Sequence, residues 1–64
     1  MNVTYKIAMA AGQDAANRQM RANGRTEWND EDYAVAVETT GHLLSFLTGA
    51  ELIASRDEYH AVEA

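Results

Sequence analysis

The chain contains no cysteine and no proline. Without cysteine there are no disulfide staples and no thiolate metal sites, a composition that fits a reducing cytoplasm. No run of 18 apolar residues occurs, so no membrane span is expected. The opening Met1 to Met9 has a single Lys6 and neither an apolar h-region nor a small-residue cleavage site, so no secretory leader is expected. Basic residues are few: 5 Lys and Arg face 10 Asp and Glu, giving a net charge of −5 over 64 residues. Apolar residues nevertheless make up 47% of the chain, too many for wholesale disorder. One domain spanning residues 1–64 is therefore expected.

At this length the balance of burial against ordering entropy is close to zero. Small proteins without disulfides or metals commonly close that gap by burying a second apolar face against another subunit. A homodimer is the expectation that follows.

Two glycine-marked breaks, Gly24-Arg25-Thr26 and Thr48-Gly49, divide the chain into a first segment to about Asn23, a second from about Asn29 to Leu47, and a tail. In the first, Tyr5, Ala8, Met9, Gly12, Ala15, Ala16, Gln19 and Met20 follow helical spacing and form one stripe. Its members Ala8, Gly12, Ala15 and Ala16 are small enough to admit a close second helix. Asn23-Gly24 supplies a left-handed stop, and Arg18, Arg21 and Arg25 suit the negative end of the helix dipole.

The second segment opens with Trp28-Asn29-Asp30-Glu31-Asp32, in which Asn29 is an N-cap and three carboxylates fill the favourable first turn. On this reading, replacing Asp30 and Asp32 by Lys would weaken that turn only slightly. Tyr33, Val37, Thr40, Leu44 and Leu47 are spaced as the seam of a helix packed lengthwise on another. The alternation in Tyr33 to Thr39, and in Val3 to Met9, leaves a βαβ arrangement open, although two short strands make too little sheet to stand alone. In the tail, Thr48-Gly49-Ala50-Glu51 and Ser55-Arg56-Asp57-Glu58 both fit a capping box, so a short third helix could start at either, with fraying after about Tyr59. The fold expected is all-α: an antiparallel helical hairpin with a short helical or frayed C-terminal tail, dimeric.

Charge is unevenly placed: residues 1–26 carry +3 and residues 27–64 carry −8. In an antiparallel hairpin the arginine end of the first helix lies beside the Asp30 to Asp32 end of the second. Leu43, Leu44, Phe46 and Leu47 place four large apolar residues within five positions, more than one helical neighbour can cover. Either the tail wraps them through Leu52 and Ile53, or they form an interface with a sister chain or a target.

Catalytic patterns are thin. His42 and His60 are the only imidazoles, no His-Glu-x-x-His or phosphate-cradling glycine loop occurs, and Asp30-Glu31-Asp32 lacks the spacing of a calcium loop. Ser45 and Ser55 have no evident base, so no enzyme is expected, and with it no cofactor and no metal. Glu38 and His42 share a helical face and could seed only half of a metal site. A recognition helix would have to meet phosphates with Asp30, Glu31 and Asp32, which argues against direct nucleic-acid binding.

The residues Gly12, Asn17-Arg18, Met20-Arg21, Gly24-Arg25, Trp28-Asn29 and Asp32-Tyr33 form a pattern, Gly-x-x-x-x-Asn-Arg-x-Met-Arg-x-x-Gly-Arg-x-x-Trp-Asn-x-x-Asp-Tyr. It resembles one that recurs in short helical-hairpin proteins of bacteriophages and prophages, and it covers about a third of the chain. In size, acidity and two-helix layout the chain is also similar to the phage quorum-sensing anti-activators, small dimeric hairpins that disable a host LuxR-type transcription activator. The resemblance implies a non-catalytic inhibitor in the host cytoplasm that binds a host regulator. The protein-binding residues expected are Leu43, Phe46 and Leu47, with Trp28 and Tyr33, and Leu44 turned toward the core. Two other readings are an acidic nucleic-acid mimic that blocks a host defence nuclease, using carboxylates from Glu27 to Asp32 and Glu51 to Glu63, and a structural phage component.

Overall fold

The computed structural model describes residues 3–63; Met1, Asn2 and Ala64 lie outside the described residues, as do the side chains of Val62 and of Glu63, the last of the carboxylates expected for a nucleic-acid mimic. Three helices follow one another: α1 (Tyr5–Ala22), α2 (Asp30–Leu44) and α3 (Gly49–Glu63). No strand occurs among the described residues, so the alternation in Tyr33 to Thr39 reports helix, as its acidic first turn requires. Helices α1 and α2 form the hairpin, and α3 packs on α1.

Local signals set each boundary. Thr4 caps α1, its Oγ1 accepting from the Ile7 amide at 3.1 Å. At the other end the Gly24 amide donates to Arg21 O and the Arg25 amide to Met20 O, both at 3.0 Å. Gly24 adopts φ 70°, the left-handed residue that this pair of reversed bonds needs. Helix α2 begins with a reciprocal cap: the Asp32 amide donates to Asn29 Oδ1 at 3.0 Å while the Asn29 amide donates to Asp32 Oδ2 at 2.9 Å.

Helix α2 ends at Leu44, three residues short of the expected Leu47. There the backbone tightens, with Phe46 N–H donating to Leu43 O and Leu47 N–H to Leu44 O, and the Ser45 hydroxyl donates to His42 O. Thr48 then opens α3 through the first of the two candidate boxes: Glu51 N–H donates to Thr48 Oγ1 at 3.2 Å and Thr48 N–H to Glu51 Oε1 at 2.9 Å. These bonds also draw the Glu51 carboxyl below its usual pKa.

The tail is a correction to the expectation. It is neither short nor frayed after Tyr59, because α3 has 15 residues, as many as α2. Ser55, the second candidate start, lies inside the helix, where its hydroxyl accepts from the Tyr5 amide, one of the unpaired donors at the start of α1. The rings of Tyr5 and Tyr59 sit 5.2 Å apart. The tail is helical because it docks on the N-terminus of α1.

The contact between α1 and α2 is unusually close. Ala8, Gly12 and Ala16 are the buried residues of α1, three small residues four apart on one face, whereas Ala15 is only half-buried. A Cβ on Gly12 would lie 2.1 Å from Thr40 Oγ1 and 2.6 Å from the carbonyl oxygen of Ala36. The Thr40 hydroxyl donates to Ala8 O at 3.3 Å across the same seam.

This closeness changes the expected seam. Thr40 keeps its place, meeting α1 together with Asp32 and Ala36, while Tyr33 is 58% and Val37 71% exposed. A heptad seam assumes large side chains interlocking between helices. Helices separated by little more than alanine and glycine have little room for them, so Tyr33 and Val37 are turned outward. Among the described residues only Ala8 and Ala16 form the fully buried apolar core, and each helix carries large exposed residues outside it: Ile7 in α1, Tyr33 and Val37 in α2, and Ile53 in α3.

Gly12→Ala should separate the two helices, since one of the clashing atoms is backbone. Overpacking of this kind costs about 1 to 3 kcal/mol. Thermal unfolding should show a melting temperature lower by roughly 4 to 8 °C per kcal/mol lost, and an unchanged melting temperature would mean that the seam is looser than described. Gly41, mid-α2, has nothing within 4 Å of its Cβ position, so Gly41→Ala should leave the hairpin intact.

Candidate functional site

The turn between α1 and α2 is organised by a single carboxylate. Asp32 is fully buried, and Arg25 grips it with both terminal nitrogens, Nη2 donating to Oδ1 at 3.1 Å and Nη1 to Oδ2. Gln19 Nε2 donates to Oδ1 at 2.9 Å, and the Asn29 amide completes the set on Oδ2. The Arg25 guanidinium above all, with the Asn29 amide and the Gln19 amide, holds the Asp32 carboxyl down at about 2, well under its ordinary 3.8. Arg25 is raised by the same bond. No buried side-chain nitrogen or oxygen among the described residues lacks a partner.

The sequence expectation for this region needs correcting. Asp30 and Glu31 are exposed and do serve the helix dipole, but Asp32 is the buried anchor of the hairpin. Reversing it to Lys would place a cation against Arg25, with consequences far beyond a weakened first turn. Within the Gly-Arg-x-x-Trp-Asn-x-x-Asp-Tyr stretch, Gly24 turns the chain, Arg25 reaches Asp32, and Asn29 closes the cap.

Beside the clasp, Trp28 is half-buried and its Nε1–H donates to Asn17 Oδ1 at 2.8 Å. Its ring meets the edge of Tyr33 with centroids 5.0 Å apart. Both rings stand at one end of an open groove of about 420 Å³ along the α1–α2 seam. Met9 and Gln13 line it from α1; Tyr33, Ala36, Val37, Thr40, Gly41 and Leu44 line it from α2. None of these residues is charged.

Of the five residues expected to bind protein, Trp28 and Tyr33 come together in this groove. Leu43, Phe46 and Leu47 are not part of its lining. Leu43 is half-buried near the end of α2, whereas Phe46 and half-buried Leu47 lie in the turn to α3. Phe46 is 66% exposed and its ring stacks edge-on with His42 at 5.5 Å. Leu44 is half-buried on the groove wall, so it faces the surface depression as much as the core. The tail packs chiefly on α1, and of the two residues expected to wrap this cluster Leu52 is half-buried and Ile53 is exposed.

Sequence reasoning missed Met9, Val37 and Gly41 as surface residues. The first two were assigned to helix seams by their spacing, and Gly41 carried no signal. Among the described residues no three or more His, Asp or Glu side chains converge as a metal site, and no helix is long and apolar enough to cross a membrane. No protein-family model, curated protein or solved structure matches the chain at significant similarity.

The clasp sets an acid sensitivity with a definite sign. A carboxyl whose folded pKa of about 2 lies under an ordinary 3.8 contributes stability that is present above about pH 4 and lost as the pH falls toward 2. Melting temperatures measured from pH 6 to pH 2 should fall across that window. Asp32→Asn should melt lower at pH 6 and show a flatter decline below pH 4; an identical acid profile in the variant would remove Asp32 from this role. At pH 6, Asp32→Ala should destabilise far more than Asp30→Ala or Glu31→Ala.

Proposed function

We propose that this chain is a non-catalytic protein-binding inhibitor, encoded by a phage or prophage, that occupies a host regulator in the cytoplasm, most concretely a quorum-sensing transcription activator of the LuxR type. The observation that carries the binding reading is the inverted distribution of apolar residues. The interior is alanine and glycine, while Tyr33, Val37, Phe46 and Ile53 are spent on the surface. Aromatic and aliphatic side chains exposed at this density add little to the chain's own core and are the raw material of interfaces. The choice of a host activator as target rests on the resemblance of the Gly12 to Tyr33 pattern and of the helical layout to the phage hairpins.

Phe46 is the residue best placed to enter a target. It projects from the α2–α3 turn, flanked by Leu43 and Leu47, and its neighbour His42 leaves most of the ring accessible. An acidic nucleic-acid mimic has less support, because Asp32, the last carboxylate of the acidic run from Glu27 to Asp32, is buried and neutralised by Arg25. What remains exposed there is Glu27, Asp30 and Glu31.

The test is a LuxR-type reporter strain expressing the chain, together with binding to the purified activator. The intact chain should repress the reporter. Phe46→Ala should weaken binding by about 2 kcal/mol, roughly thirtyfold, with helicity and melting temperature nearly unchanged. Affinity should respond little between 50 and 200 mM salt, whereas a phosphate mimic would lose affinity steeply. An indifferent Phe46→Ala combined with loss of binding in Asp30→Lys/Glu31→Lys would overturn the apolar reading in favour of the mimic.

A further inference from the structure

We infer that the α1–α2 groove is closed by a second copy of this chain, the two α2 helices packing antiparallel, with Tyr33 of one copy beside Leu44 of the other and Val37 over Gly41. This assembly is independent of which target the chain binds, and it uses a different surface from Phe46.

Gly41 is the first reason. A glycine in the middle of a helix weakens it relative to alanine and is retained where a backbone must be approached closely. Gly12 has such a reason within the chain, since Thr40 and Ala36 fill the space its side chain would take. Gly41 has none: it stands on the wall of the groove with nothing within 4 Å of its Cβ position. Something outside the chain must be what comes close there.

Surface area is the second. A compact monomer of 7.0 kDa exposes about 4,000 Å². This chain exposes 4695 Å², several hundred Å² more. The excess is comparable to the roughly 800 Å² that each partner buries in a standard stable interface. With only Ala8 and Ala16 as buried apolar residues among those described, the fold needs that burial whenever it is folded. An occupant always present with the chain is another copy of it.

Direction follows from charge. The exposed Asp30 and Glu31 stand at the start of α2, and no carboxylate occurs from Thr39 to Leu44. Parallel packing would set the two acidic turns side by side. Antiparallel packing places each beside the other copy's carboxylate-free end and pairs opposite helix dipoles. The stripe Tyr33, Val37, Gly41, Leu44 then maps onto itself about a centre near residues 38 and 39, with bulk at its ends and a bare backbone near its middle. That self-matching is what a two-fold interface requires.

Sedimentation equilibrium of the unaltered chain should give twice 7.0 kDa at about 100 μM, and the melting temperature should rise with concentration. Gly41→Leu adds bulk at a position open within the chain, so it should weaken dimerisation at least tenfold while the circular dichroism stays helical. Because the chain has no cysteine of its own, Tyr33→Cys mixed with Leu44→Cys should form the mixed disulfide in preference to either like pair. That reading holds even if Gly41→Leu fails to fold. A 7.0 kDa monomer, a Gly41→Leu dimer as tight as the original, or preferential 33–33 and 44–44 cross-links would each overturn the inference.

Discussion

The distance between α1 and α2 is the constraint on which the rest of this structure depends. It is set by what Gly12 lacks: with no Cβ there, the Ala36 carbonyl and the Thr40 hydroxyl move into the place a side chain would hold. Two helices this close gain from backbone and small-residue contact, and they forfeit the interlocking of large side chains. Tyr33 and Val37 must then go elsewhere. The groove with its uncharged walls, the outward Tyr33 and Val37, and the lack, among the described residues, of a fully buried side chain larger than Asp32 all follow from that one approach.

So tight a seam needs its register fixed, and an apolar contact made of alanines fixes register poorly. The clasp at the turn does this. Arg25, Gln19 and Asn29 all converge on Asp32, so the start of α2 can sit in one place relative to the end of α1. Buried ionic groups are weak evidence of stability but are well suited to specifying one arrangement among several. The left-handed Gly24 contributes by turning the backbone so that Arg25 points back along the hairpin.

The local grammar of the fold was legible in the chain. Asn23-Gly24 as a stop, Asn29 as a cap, Thr48 with Glu51 as a box, and the small stripe of α1 each carry a backbone chemistry that does not depend on tertiary context. Errors arose where a pattern has two physical meanings. The 4-3-4-3 spacing of Tyr33, Val37, Thr40, Leu44 and Leu47 does not say which of its members meet the other helix, and only the depth of the α1 stripe decides that Thr40 does while Tyr33 and Val37 stay exposed. Asp32 looks like its neighbours Asp30 and Glu31 until Arg25 is seen to reach it. The length of α3 was underestimated because what orders it, the docking of Ser55 and Tyr59 on Tyr5, joins residues fifty positions apart. As for the site, Trp28 and Tyr33 were recognisable as aromatic residues beside a turn, whereas Gly41 becomes informative only once the space around it is known.

The attachment of α3 has a consequence for how the molecule opens. Its link to the hairpin centres on the first turn of α1, where Tyr5 meets one hydroxyl and the rings of Tyr59 and His60, with no clasp comparable to Asp32 among the described residues. Free energies of local opening follow the number of contacts broken, so α3 detaches as a unit at much lower cost than the separation of α1 from α2. Its amides therefore exchange with solvent through a partly unfolded state in which the hairpin is still intact. Thr4 and the first turn of α1 are exposed in that state, and the N-terminal end of α1 loosens together with a segment at the opposite end of the sequence.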